Sequence, residues 1–207
     1  MLSKKDFERI VREMSKLGGV DAVDFLRKTS PWFNPLEPAI RRVSESLREI
    51  GIFHVLYGFR ALPLYGVPYI SRDIEFAVKP EEADLESRLE DMGFRKLSRS
   101  SGNLTLLDLQ NNRVLKLLYK PKPLEWDEEL LKRAREKRGI RILSTEDYVV
   151  SLIAETRSTM RLELAAKVIY SNMDELDRGY LEKRAADLSV DEVIQDLISG
   201  LEEASSR

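Results

Sequence analysis

Between His54 and Val78 the chain reads HVLYGFRALPLYGVPYISRDIEFAV, an apolar stretch interrupted by two glycines and ending in a strand-like run with two acids. No other segment limits the fold as strongly. His54 to Tyr57 is predicted as a short buried strand and Gly58 as a turn opening a helical piece; Gly66 and Pro68 belong to a loop, and the run through Asp73 and Glu75 forms a second strand. Side chains alternate along a strand, so Asp73 and Glu75 point one way and Ile74 and Phe76 the other. Two carboxylates on one face of an apolar strand have two explanations, a wet edge or a face that carries chemistry. The upstream half speaks for chemistry. A strand, a glycine-led helix start and an acidic strand bring helix N-terminal N–H groups close to a carboxylate pair, an arrangement suited to a metal-bound triphosphate.

The same stretch resembles the core signature of the nucleotidyltransferase superfamily, the DNA polymerase beta-like fold, in its small stand-alone form related to abortive-infection toxins. That signature runs strand, Gly-Gly or Gly-Ser, a short helix ending in His-Gly, then Arg-x-Thr-x-Asp-x-Asp on the next strand. Gly58, Ala61, Gly66, Pro68, Asp73 and Ile74 stand at matching positions. Phe59 replaces the second glycine, Tyr65 the His, Tyr69 the Arg, Ser71 the Thr and Glu75 the second Asp. The likeness runs from about Ile50 to Tyr170. It implies an α/β (α+β) fold, a small mixed sheet flanked by helices, with extra helical layers at both ends. It also implies transfer of a nucleotide from an NTP to a protein or RNA acceptor such as tRNA. Asp73 and Glu75 would hold Mg²⁺, while Gly58, Arg60, Ser71 and Arg72 would lie near the phosphates.

Two-ion nucleotidyl transfer uses three carboxylates, because the ions bridge the attacking oxygen and the triphosphate. In the family the third acid lies in a Val-Asp-Leu-Leu type strand. The matching run here is Val114-Leu115-Lys116-Leu117-Leu118, so lysine stands where the acid belongs. Either Lys116 neutralises the acid pair and competes with a cation, or it is a solvated strand residue in a slipped register. Asp108 on the preceding strand is one candidate substitute for the third acid. Glu163, on a later helix, is the other, with a nucleotide contact in view. Two functions stay open: an active transferase, and a degenerate module of that fold binding a nucleotide, RNA or a protein partner.

Composition sets the outer bounds. With 207 residues, 43% hydrophobic and 34% charged, the chain suits one domain with helical appendages. The expected division is a helical layer over 1–50, the core over 51–143 and a helical region over 144–207. Cysteine is absent, which excludes disulfides and thiolate metal sites. No apolar run is long enough for a membrane span, and MLSKKDFERI reads as an amphipathic helix start, so a cytoplasmic protein is expected. Dense charge of both signs is compatible with a thermophilic source. The net charge of −2 does not by itself call for a nucleic-acid partner. His54, the sole histidine, reads as a core or strand-end residue, since no second His completes a metal set.

Periodicity predicts the remaining elements. Two N-terminal helices, from Ser3 and from Asp21, lead to a turn carrying Trp32 and Phe33, and a third helix spans Leu36 to Ile50. A helix with Leu85, Leu89 and Met92 on one face closes at Gly93. Strands follow over Arg95 to Ser98, Leu104 to Leu109 and Arg113 to Tyr119. Asp127 to Arg138 reads as one charged helix ending at Gly139. The basic residues around it, with Tyr119 and Trp126 interleaved, fit either an RNA surface or, given the acids among them, a salt-bridged solvent face. Ile140 to Leu143 is a last strand, Ser144 starts a helix, and the tail forms two amphipathic helices broken near Leu188-Ser189.

Overall fold

The computed structural model describes residues 36–79 and 84–205. The predicted helices before Leu36, with Trp32 and Phe33, and the predicted helix start at Pro80-Glu81 lie outside the described residues. Helix α1 (Leu36–Glu49) buries Ile40, Val43 and Leu47, the stripe that its spacing of three and four residues dictates. Strand β1 (His54–Tyr57) is buried at all four positions and runs directly into a 3-10 helix, Gly58–Tyr65, which Gly66 closes in the left-handed conformation. Strand β2 (Glu75–Val78) and helix α2 (Leu85–Asp91) come next, followed by the meander β3 (Phe94–Arg99), β4 (Asn103–Asp108) and β5 (Arg113–Leu118).

These five strands form one mixed sheet in the order β1-β2-β5-β4-β3. The β2-β5 pair is parallel and every other pair antiparallel. Leu104 and Leu106 of β4, with Leu115 and Leu117 of β5, are buried on one face, while their alternate neighbours are partly exposed on the other. Beyond the sheet lie helix α3 (Glu128–Arg133), a hairpin of β6 (Arg135–Lys137) and β7 (Ile140–Ile142), then helices α4 (Thr145–Glu155) and α5 (Thr159–Ser171). A short 3-10 turn, Met173–Glu175, leads into α6 (Arg178–Asp187) and α7 (Asp191–Ser205). Helix α4 is buried from Thr145 to Ile153 and packs against both α5 and α6. It is the centre of the helical layer. Among the described residues no helix is long and apolar enough to cross a membrane.

Two expectations are corrected. The charged helix predicted over Asp127 to Arg138 stops at Arg133, because Arg135 to Lys137 pair with Ile140 to Ile142. Arg138 and Gly139 take φ of 54° and 78°, the pair of left-handed residues that a two-residue hairpin turn requires. Burial of Ile140 and Ile142 beside β1 outweighs the helix propensity of the charged run. Secondly, Asp73 precedes β2, whose first residue is Glu75, although the carbonyl of Ile74 already accepts the Lys116 N–H at 2.9 Å.

Candidate functional site

Register across the sheet builds the site. Tyr57 of β1 lies opposite Glu75 of β2, Glu75 opposite Lys116 of β5, and Lys116 opposite Thr105 of β4. Residues opposite one another share a face, so this row crosses the sheet on one side. The Lys116 ammonium stands 3.8 Å from Glu75 Oε1, both side chains being part-exposed. Gly58 follows Tyr57 at φ 65°, and a Cβ there would overlap Glu75 Oε2. The position therefore needs glycine twice over, for its backbone angle and for the carboxylate lying against it.

Two tyrosines support this turn from below. The Tyr148 hydroxyl of α4 donates to the Gly58 carbonyl at 2.9 Å, and its ring stacks on Tyr65 with centroids 4.1 Å apart. Tyr65 is fully buried and donates to the Leu143 carbonyl at 3.0 Å. On the other side, the Tyr57 hydroxyl donates to the Lys122 carbonyl. Burial holds the Tyr57 and Tyr148 phenols well above their ordinary range, so both remain neutral donors.

The roof comes from the end of α4 and the start of α5. Arg161 Nη1 is 2.6 Å from Glu155 Oε2 and also donates to the Leu152 carbonyl at 3.3 Å. Its guanidinium lies 5.1 Å from the centre of the Phe59 ring. These groups enclose a cleft of about 290 Å³, lined also by Asn103, Leu118, Lys122 and Ser151. The Glu75 carboxyl titrates above its ordinary value. Burial is the main cause, Lys116 opposes it, and the charges of Asp73 and Glu155 add to it.

The sequence-predicted residues are distributed unevenly around this cleft. Gly58, Glu75 and Lys116 line it. Asp73 is exposed just before β2, near enough to act on Glu75, and its N–H donates to the buried Ser71 hydroxyl at 3.3 Å. Arg72 is exposed on the same connection, and Arg60 reaches away to Glu37 at 4.0 Å. Asp108 does not join them, which corrects its reading as a third site carboxylate. It lies three positions along β4 from Thr105, roughly 10 Å away and on the opposite face. There it is fully buried, ion-paired with Arg42, and accepts N–H bonds from Gln110 (3.0 Å) and Asn111 (3.3 Å) and a bond from the Asn111 amide (2.6 Å). Glu163 is likewise elsewhere, 2.5 Å from Lys167 on the rim of a separate groove with Gly66 and Tyr170.

Several contributors to the cleft had no reading as site residues, Lys122, Tyr148, Glu155 and Arg161 among them. Glu155 and Arg161 flank the break between α4 and α5, an acid and a base of a common kind, and nothing local ties them to Gly58. The donor set does not fit a two-ion site. Among the described residues no three His, Cys, Asp or Glu side chains are grouped so as to hold a metal, and an ammonium occupies the position beside Glu75.

No protein-family model and no curated protein matches the chain. Among solved structures, an antigenic nucleotidyltransferase-like protein from Paracoccidioides brasiliensis superposes with a TM-score of 0.51 at 16% identity, over 81% of this chain and 92% of that one. The antibiotic-resistance factor ANT(2'')-Ia gives 0.49 at 14% identity, over 82% and 96%. JHP933 from Helicobacter pylori gives 0.43 at 18% identity, over 82% and 93%.

Proposed function

From the nucleotidyltransferase-like fold that this chain has, we infer a catalytically degenerate nucleotide-binding module, one that takes a nucleoside phosphate into the cleft beside Gly58 without two-ion transfer chemistry. The observation that carries this reading is the Lys116 ammonium, 3.8 Å from Glu75. At about 4 Å near a protein surface, unit charges interact with roughly 4 kcal/mol, and a divalent cation doubles the opposition. An ammonium in that place therefore works against Mg²⁺ while it still attracts a phosphate oxygen. Lys122 and Arg161 on the same cleft add to that attraction, and the Phe59 and Tyr57 rings supply apolar surface for a base or sugar.

RNA as the ligand has less support. The basic residues around α3 are largely engaged by acids: Arg133 with Asp177 at 3.0 Å, Arg135 with Glu175 at 3.6 Å, Lys183 with Glu129 at 2.7 Å, and Lys120 with Glu125. That pattern is a salt-bridged solvent face.

Calorimetric titration of common ribonucleotides, with EDTA and with Mg²⁺, tests the proposal in wild type and Asp73→Ala. Binding in EDTA by at least one nucleotide, not weakened in Asp73→Ala, and no incorporation of labelled nucleotide into protein or RNA are expected. Mg²⁺-dependent binding that disappears in Asp73→Ala, together with incorporation, would instead establish a working transferase with a protein or RNA acceptor. No binding by any nucleotide would end the nucleotide reading altogether.

A further inference from the structure

The charge of the cleft narrows the ligand further. Lys116, Lys122 and Arg161 face it, against Glu75 and Glu155, so three cations and two carboxylates leave one positive charge. Asp73 at the rim, close enough to act on Glu75, brings even that toward neutrality. The cations are also unequal. Lys116 is held by Glu75 and Arg161 by Glu155 at 2.6 Å, whereas Lys122 is in no ion pair among the described residues. The Lys122 backbone is fixed by the bond from the Tyr57 hydroxyl to its carbonyl, and its ammonium lies over Gly102, where a Cβ would come within 3.6 Å of Nζ.

A phosphate monoester carries about 1.5 to 2 negative charges at neutral pH, and each further phosphoryl group of a di- or triphosphate adds another full charge. In a two-ion site the metals offset that excess. Here the Lys116 ammonium beside Glu75 opposes such ions, and Lys122, in no ion pair among the described residues, offsets half or more of a monophosphate's charge but only a small share of a triphosphate's. Size agrees with charge: about 290 Å³ falls just below the roughly 300–1,000 Å³ found for pockets that enclose small ligands, which favours a short phosphate tail over a long one.

We propose that the cleft is a metal-free site for a nucleoside monophosphate, with the Lys122 ammonium as the principal phosphate contact and Lys116 and Arg161 beside it. The proposal rests on the nucleotide-binding reading above and assigns the phosphate class within it. Discrimination against triphosphates follows from the shortage of positive charge, so a longer phosphate tail lowers affinity as its unmatched charge grows.

The test is isothermal titration in EDTA of AMP, GMP, CMP and UMP, of the four matching triphosphates and of inorganic phosphate, into wild type and Lys122→Ala. Lys122 is exposed on a connecting segment, so the variant folds, which its circular dichroism verifies. At least one monophosphate is expected to bind about tenfold more tightly than its triphosphate, and Lys122→Ala to weaken it about tenfold, a difference of about 1.4 kcal/mol in each case. A triphosphate that binds more tightly than its monophosphate without metal would overturn the phosphate class and leave nucleotide binding standing. Monophosphate binding unchanged in Lys122→Ala would overturn the assignment of the contact. Failure of every nucleotide to bind would remove the nucleotide reading itself, an outcome distinct from both.

Discussion

Asp147→Ala is expected to destabilise the protein by about 3–5 kcal/mol, the range for removing one partner from a buried ion pair. Asp147 is fully buried in the first turn of α4. Its carboxylate accepts from Arg184 Nε at 2.7 Å, from the Tyr180 hydroxyl at 3.0 Å and from the Ser144 hydroxyl at 3.0 Å. Ser144 in turn caps the helix by accepting the Asp147 N–H at 3.1 Å. Arg184, itself buried, has one other acid, Asp127, at 2.6 Å, and its second terminal nitrogen is already without a partner. Removal of Asp147 would leave a guanidinium half-compensated in the interior, and of the polar ties from α6 to α4 only the Asp177 N–H bond to Glu146 at 2.9 Å would be untouched among those described. Urea denaturation measures the loss. A change under about 1 kcal/mol would mean that the network contributes little to holding the helical layer.

Acidification is expected to cost about 3 kcal/mol through His54 alone. The imidazole is buried between α1 and the sheet, with Nδ1 donating to the Ile52 carbonyl at 2.9 Å and Nε2 accepting from the Ser44 hydroxyl at 2.8 Å. Both ring nitrogens are used by the neutral form. Burial lowers its pKa from 6.5 to about 4, opposed by the bond to Ile52 and assisted by the charges of Arg141 and Arg48. Between those values the unfolded chain binds a proton that the folded one refuses, so stability is full above pH 6.5 and falls as the pH drops toward 4. Glu75 has the opposite sign, since its raised pKa favours the folded state in acid. The His54 contribution is therefore read as the difference in pH slope between wild type and His54→Gln. Because the chain has one histidine, a single imidazole resonance followed by NMR checks it directly: it should remain neutral in the folded protein down to about pH 4. An ordinary midpoint near 6.5 would contradict the buried, doubly bonded arrangement.

Much of the sheet was legible because strand chemistry is local. The three strands of the meander start or end within two residues of their predicted limits, and Gly58 and Gly66 stand where the chain turns. The place of Lys116 beside Glu75 was also accessible, given a strand that neighbours β2, since the alternation of Leu115 and Leu117 fixes which way Lys116 points. Asp108 was misread for the same kind of reason. Odd spacing from Thr105 puts it on the other face, but only the observed register shows that Thr105 is the residue level with Lys116. Glu155 and Arg161 were not accessible, because they reach the cleft through the packing of two helices more than 75 residues from Glu75 in the chain. The β6-β7 hairpin was hidden by helix-forming charged residues whose pairing depends on burial of Ile140 and Ile142 against β1. Long-range packing decided each case that local pattern missed.

The most direct test of metal-free nucleotide binding is the Mg²⁺ dependence of nucleotide affinity in wild type and in Lys116→Asp, measured by calorimetry at one ionic strength. Wild type is expected to bind its preferred nucleotide equally well in EDTA and in Mg²⁺. Lys116→Asp, which places a carboxylate opposite Glu75 in β5, is expected to lose binding in EDTA and recover it with the metal. Wild-type affinity that requires Mg²⁺ and vanishes in Glu75→Gln would contradict the account, since it would show that Glu75 serves a cation despite the ammonium beside it.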